Sequence, residues 1–105
     1  MKISDLEPVF LRLEDLNSQN STMYHTDDLS ISHGVLFWCP VCRDSPKGHY
    51  VLCWDPSVPP IHSPGPGRWK MTGAGFNDLS LAPSVQLHTA CRAHFFVRNG
   101  EIHLC

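Results

Sequence analysis

Short stretches of β-branched and aromatic residues, separated by turn-forming residues, predict a β-rich fold. Residues 34–38 (GVLFW) and 49–54 (HYVLCW) each have the length and composition of a strand. The segment that joins them begins with the motif Cys39-x-x-Cys42. We therefore expect an antiparallel hairpin with this cysteine pair at its tip.

A second hairpin is predicted at the end of the sequence. Residues 95–104 alternate between apolar and polar side chains on either side of Asn99-Gly100. An Asn-Gly pair favours a two-residue type I′ turn, which also fixes the register so that Arg98 faces Glu101. The predicted core face of this hairpin carries Phe95, Val97, Ile102 and Leu104.

Three further segments have weaker strand patterns. Residues 9–13 predict a strand with alternate apolar residues on one face, although a short amphipathic helix through Leu16 is an alternative. Residues 68–72 predict a short strand. Residues 79–87 predict an edge strand with a kink at Pro83, because proline cannot donate to a sheet ladder.

The segment between the strands at 49–54 and 68–72 is rich in proline. Residues 55–67 contain five prolines and two glycines, which excludes a helix or an interior strand and predicts a stiff surface loop. A length of 105 residues, 42% of them apolar, fits a single domain over residues 1–105. The expected fold class is mainly β, with a small antiparallel sheet or hairpins around a zinc-ribbon-like knuckle and little helix.

Charge and hydropathy exclude some classes of partner. The net charge of −2 argues against a sequence-independent grip on nucleic acid, which needs a basic face. No stretch approaches the roughly 20 apolar residues of a membrane span, and the first residues lack a signal-peptide pattern. We expect a cytoplasmic protein without membrane contact, in which 5 cysteines, an odd number, do not form a disulfide framework.

Two pairs of metal-binding residue types share one spacing. Cys39-x-x-Cys42 and Cys91-x-x-His94 each allow both side chains of the pair to turn toward one ion. Zinc prefers four tetrahedral ligands, and three cysteines with one histidine are a standard closed set. We therefore predict a structural Zn²⁺ held by Cys39, Cys42, Cys91 and His94. Cys105, which the hairpin register places opposite His94, is a candidate replacement ligand.

Other interpretations of these residues remain open. The cysteines could be buried apolar thiols, with the histidine an ordinary strand residue. A thiol-redox role for Cys39-x-x-Cys42 is a second alternative, although the βαβ context of such motifs is missing. Cys53 lies inside a predicted strand and is expected in the core. His49 and His88 flank predicted strands near the two pairs and are the other histidines that could join a site.

The sequence predicts no catalytic residues and no organic cofactor. It contains no His-Glu-x-x-His motif, and a closed four-ligand metal site leaves no position for a reacting water. Ser80 and Ser84 stand in no nucleophile-elbow motif. The three tryptophans either pack around the metal or contribute to a surface that binds a partner, because aromatic side chains anchor interfaces.

Several motifs together carry a family resemblance, and they cover most of the chain. They are residues 3–11, Leu36-Phe37-Trp38-Cys39-Pro40-Val41-Cys42, Pro66-Gly67-Arg68-Trp69, Asp78-Leu79-Ser80-Leu81 and the run CRAHFFVRNG at 91–100. With these motifs the chain resembles a group of small phage and prophage proteins of unknown function, some of which carry an ammonia monooxygenase label. A wider related group accompanies ubiquitin-like conjugation genes in bacteria. The resemblance implies a mobile-element origin, a bacterial host cytosol and a zinc-held β fold, but no reaction.

The sequence and the resemblance together favour a non-enzymatic phage accessory protein. It would bind a host or phage protein, as an anti-defence inhibitor by association with other phage proteins of this size. One alternative is a small zinc-dependent hydrolase that acts on a peptide or isopeptide bond. Another is a zinc-knuckle protein that binds nucleic acid through Arg43, Arg68, Arg92 and Arg98.

Overall fold

The first half of the chain forms an antiparallel sheet. The computed structural model describes residues 1–46, 48–88 and 91–105. The strands of this sheet are Val9–Leu13 (β1), Met23–Thr26 (β2), Gly34–Trp38 (β3) and Tyr50–Trp54 (β4). Their order is β2-β1-β3-β4. β3 and β4 form the expected hairpin, in which Trp38 pairs with Tyr50 next to the turn.

The second half forms another antiparallel sheet. Its strands are Lys70–Thr72 (β5), Ser80–Gln86 (β6), His94–Arg98 (β7) and Glu101–Leu104 (β8), in sequential order. Helical structure in the described residues is limited to 3-10 turns at Ile3–Leu6, Leu29–Ile31 and Phe76–Asp78. None of these described helices is long or apolar enough to cross a membrane. The prediction of a mainly β fold with little helix is confirmed.

The two sheets share one core. Phe37 from β3 meets Phe95 from β7 edge-to-face, with ring centroids 6.0 Å apart. Phe10 from β1 stacks on Phe76 of the last 3-10 turn at 4.2 Å. Phe10, Phe37 and Phe95 are completely buried. Because aromatic side chains remove large apolar areas from water, these contacts hold the sheets face to face.

The hairpin of β7 and β8 has the register that the sequence predicts. Arg98 pairs with Glu101, and the ladder continues outward to Phe95 and Leu104. Asn99 and Gly100 have φ angles of 49° and 75°, as a type I′ turn requires. A Cβ at Gly100 would collide with the backbone of the neighbouring 3-10 turn. Leu104 is 62% exposed, so it lies outside the core that was predicted for it.

β6 lies inside its sheet, which corrects the expectation of an edge strand. It pairs with β5 on one side and with β7 on the other. The ladder with β7 changes register between Leu81 and Val85, and this irregularity contains Pro83. The missing proline N–H is therefore accommodated by a local break in the ladder rather than by a position at the sheet edge.

The proline-rich loop closes a second apolar cluster on the outer face of the first sheet. The buried members of this cluster are Leu11, Leu13, Trp54 and Val58. Arg68 holds the loop in place, since its guanidinium donates to the carbonyls of Val58, Pro59 and His62 at 2.8–3.0 Å. It also donates to the carbonyls of Pro64 and Gly67 at 2.8 Å. One side chain thus satisfies five loop carbonyls.

Candidate functional site

A cluster of three cysteines and one histidine lies where the two sheets meet the β3–β4 turn. Cys39 and Cys42 come from this turn, and His49 stands just before β4. The turn is closed by a hydrogen bond from the Cys39 N–H to the His49 carbonyl at 2.9 Å. Cys91 reaches the same point from the segment before β7. The ligand atoms of Cys39, Cys42, His49 and Cys91 all lie within 4.8 Å of one another.

The distances within the cluster fit a tetrahedral zinc site. Cys39 Sγ and Cys91 Sγ are 3.8 Å apart, and His49 Nε2 is 3.3 Å from Cys91 Sγ. Ligand bond lengths of zinc predict separations of about 3.8 Å between two sulfurs and about 3.6 Å between sulfur and nitrogen. Three cysteines and one histidine are also a common structural zinc set. The residues can therefore hold a metal ion of this size and softness.

In the cluster without a metal, the surroundings of Cys42 and His49 favour the protonated form of each side chain. Loss of solvation raises the pKa of Cys42 to about 11, and the neighbouring Cys39 and Cys91 add to the shift. The hydrogen bond with Cys91, followed by the one with the Tyr50 carbonyl, raises the pKa of His49. A cation that enters this cluster must displace protons from its ligands.

The cluster differs from the expected ligand set at one position. Cys39, Cys42 and Cys91 come together as expected, but the histidine beside them is His49. His94 is the first residue of β7, where the strand pleat directs its side chain to the opposite face from the buried Phe95. The Cys-x-x-His spacing therefore does not bring His94 to the three cysteines in this fold.

His94 instead forms a hydrogen bond with the side chain of Ser84. Its Nε2 atom lies 2.9 Å from Ser84 Oγ, and both side chains are half-buried. The ladder pairs Val85 with Phe95, so Ser84 on β6 and His94 on β7 are diagonal neighbours on the outer face of the second sheet. This is the one serine–histidine hydrogen bond among residues 1–46, 48–88 and 91–105.

The contacts around this pair hold it in position. The Trp69 indole N–H donates to the Ser84 carbonyl at 3.2 Å. The Phe96 ring lies beside the imidazole, with centroids 6.3 Å apart. Within the described part of the chain, no carboxylate oxygen lies within hydrogen-bonding distance of His94. The arrangement is therefore a serine–histidine dyad, in which the imidazole can accept the hydroxyl proton.

The remaining candidate residues lie elsewhere. Cys53 is completely buried, as predicted, and burial raises the pKa of its thiol. Cys105 is exposed, and its backbone N–H donates to the His94 carbonyl at 3.0 Å. His88 is exposed and lies outside the cysteine cluster. Neither Cys105 nor His88 therefore adds a ligand to the site.

The sequence left His49 as a secondary candidate ligand and gave no sign that Ser84 approaches His94, for different reasons. His49 had a usable signal, because it follows the cysteine pair in the same turn and comes directly before β4. Ser84 carries no motif, and its approach to His94 depends on the register of two strands. No local pattern encodes that register, because the ladder between β6 and β7 is irregular.

Comparison with known proteins gives one family. A sequence model of the family described as "Bacterial ubiquitination-like system serine protease (BubE)" matches residues 10–105, all but the first nine. Curated proteins and solved structures give no match. The family is described as an enzyme, so the expectation of a non-enzymatic phage accessory protein that acts by binding is wrong. The resemblance to phage and prophage proteins stays a prediction.

Proposed function

The chain belongs to the family of bacterial ubiquitination-like system serine proteases, and we propose that it is a serine hydrolase that cleaves a peptide or isopeptide bond made by such a system. Ser84 is the nucleophile and His94 the general base. The hydrogen bond of 2.9 Å between Ser84 Oγ and His94 Nε2 carries this assignment. The family description supports the hydrolytic alternative that the sequence left open, with a serine as the reacting group.

The geometry supports a two-step reaction. His94 Nε2 accepts the proton of Ser84 Oγ as the oxygen attacks the carbonyl carbon of the scissile bond. The resulting imidazolium donates that proton to the leaving amine, and the carbon–nitrogen bond breaks to leave an ester on Ser84. Water then attacks this ester with His94 again as base, which releases the acid and restores the hydroxyl.

The neighbours of the pair contribute by restricting its motion. Trp69 holds the carbonyl of Ser84, so the backbone on which the nucleophile stands has a fixed direction. His94 is fixed because β7 is an interior strand of its sheet. Preorganisation of this kind matters because the reacting atoms must approach within about 3–3.5 Å in the correct orientation.

We assign a structural Zn²⁺ to Cys39, Cys42, His49 and Cys91. When bound, the ion supplies a cross-link rather than a reaction site, because four protein ligands leave no open position. Cys91 precedes β7 by three residues, so the cross-link fixes the start of the strand that carries His94. Thiolate ligands favour a reducing compartment, which supports a cytoplasmic location.

Labelling with a small fluorophosphonate tests the proposal directly. The wild type should gain the mass of one phosphonyl group, and peptide mapping should place it on Ser84. Ser84→Ala and His94→Gln should lose the label, whereas Ser80→Ala, on the same strand, should keep it. Labelling that persists in Ser84→Ala, or no labelling of wild-type protein that holds its metal, would overturn the assignment.

A further inference from the structure

The ladder between β6 and β7 defines the direction of every backbone amide near Ser84. Leu87 N–H donates to the Ala93 carbonyl at 2.8 Å, so the backbone of Leu87 faces β7. The His94 carbonyl accepts from Cys105, so the backbone of His94 faces away from β6. Gln86, which pairs with His94, therefore occupies a non-hydrogen-bonded position in the ladder. Its N–H and C=O point away from β7.

On the side of Gln86 away from β7, no described strand pairs with the edge of β6. β5 begins at Lys70, which pairs with Ala82, four residues before Gln86. Among the described residues, the outward N–H and C=O of Gln86 have no hydrogen-bond partner, and the side chain is exposed. The Ser84 carbonyl points toward the same side, where it accepts from Trp69.

The opposite edge of this sheet is already covered. Ile102 N–H donates to the Met1 carbonyl at 2.8 Å, and Ile3 N–H donates to the Gly100 carbonyl at 2.8 Å. The first residues of the chain therefore pair with β8, and Lys2 forms a bridge with Glu101. An added strand would find open backbone groups beside Gln86, next to the reactive pair.

We propose that this edge binds the substrate by strand addition: an extended segment on the acyl side of the scissile bond pairs with the backbone of Gln86. The inference rests on the proposed function, since it places the substrate relative to Ser84. Exposed strand edges bind extended peptides through main-chain hydrogen bonds. Such pairing recognises an unfolded tail whatever its side chains, so it selects extended polypeptide over folded surface.

The structure of an isopeptide bond indicates that the segment paired with Gln86 lies on the acyl side of the scissile bond. The leaving group of an isopeptide is a lysine side chain, which offers no backbone amides near the scissile bond. The acyl group is a polypeptide terminus, which has an amide at every residue. Gln86 is two residues from Ser84, about 7 Å along the strand. The paired substrate residue therefore lies about two residues from the scissile carbonyl, and substrates with a single acyl residue do not reach it.

Gln86→Pro tests the pairing with little disturbance of the sheet. Besides the side chain, it removes only the backbone N–H that points away from β7, and proline is tolerated at such an edge. Gln86→Ala is the matched control, because it loses the side chain and keeps the N–H. The probes are p-nitrophenyl acetate and a mixed-sequence library of tetrapeptide aminomethylcoumarins. We expect Gln86→Pro to lower kcat/KM about tenfold for the tetrapeptides and to lower it much less for the ester, which has no segment that could pair with Gln86.

Each other outcome has a definite meaning. Equal tetrapeptide rates in the wild type and both variants would overturn strand addition. An equal loss for ester and tetrapeptides in Gln86→Pro, or a matching loss in Gln86→Ala, would also overturn it, because the effect would then come from the reactive pair or from the glutamine side chain. If the wild type turns over neither probe and Ser84 is not labelled by fluorophosphonate, the proposed function itself fails.

Discussion

Arg68 should be the residue on which the proline-rich loop depends most. Its guanidinium donates to five loop carbonyls, three of them in partly buried contacts with Val58, Pro59 and His62. Arg68→Ala removes all five hydrogen bonds at once. The two exposed carbonyls can bind water instead, so the loss comes mainly from the three partly buried contacts.

The size of the effect can be estimated from these contacts. At about 1 kcal/mol for each partly buried hydrogen bond, Arg68→Ala should lower the free energy of unfolding by about 3 kcal/mol. For a chain of this length that corresponds to a fall in Tm of roughly 12–20 °C. Differential scanning calorimetry of the metal-loaded protein measures both quantities. Lys70→Ala, a nearby cation on an exposed strand position, is the matched control and should change Tm little.

A small effect would refute the reasoning. If Arg68→Ala lowers the free energy of unfolding by less than about 1 kcal/mol, the loop carbonyls must be solvated without cost. If Lys70→Ala has the same effect as Arg68→Ala, the loss reflects charge rather than the hydrogen bonds. Arg68→Lys separates these cases further, because it keeps the charge but cannot reproduce a planar fork that reaches five carbonyls.

Three other outcomes follow from single residues. His49→Ala should lose the proposed metal and His94→Ala should keep it, as measured by metal content, because of these two histidines His49 is the one in the cysteine cluster. Gly100→Ala should cost at least about 1–3 kcal/mol, since its φ of 75° disfavours a side chain and a Cβ would also collide with the backbone of the 3-10 turn; an unchanged denaturation midpoint would contradict this. Burial lowers the pKa of His33 from 6.5, and its Nδ1 accepts from the Leu13 N–H. This neutral ring stabilises the fold above pH 6.5, and the contribution is lost as pH falls from there toward the lower folded pKa. His33→Asn should therefore flatten the fall of Tm between about pH 7.5 and 5.

Local patterns in the sequence were sufficient for several parts of the fold. β1 and β3 have the predicted bounds, Val9–Leu13 and Gly34–Trp38. The Asn99-Gly100 turn fixed the register of β7 and β8, because a two-residue turn leaves no freedom in strand pairing. These elements depend on residues close together in the chain, so composition and spacing specify them.

The candidate sites needed information that no short segment contains. Whether His49 or His94 joins the cysteines depends on where β7 begins, and equal spacing in two motifs does not decide it. The meeting of Ser84 with His94 depends on the ladder between β6 and β7, which changes register near Pro83. A one-residue slip there would turn Ser84 to the core face. Tertiary pairing therefore determines the catalytic assignment.

The structure explains how a chain of 105 residues could hold a reactive pair in place. A small core supplies limited rigidity, so precise sites need additional support. Here each member of the pair is supported from a different direction. The cysteine cluster includes Cys91, just before the strand that carries His94. The Arg68-anchored loop leads directly to Trp69, which holds the backbone of Ser84. If both supports serve the hydrolase, metal removal and Arg68→Ala should each lower kcat below their melting transitions. Their effects should be less than additive, because both act on one hydrogen-bonded pair.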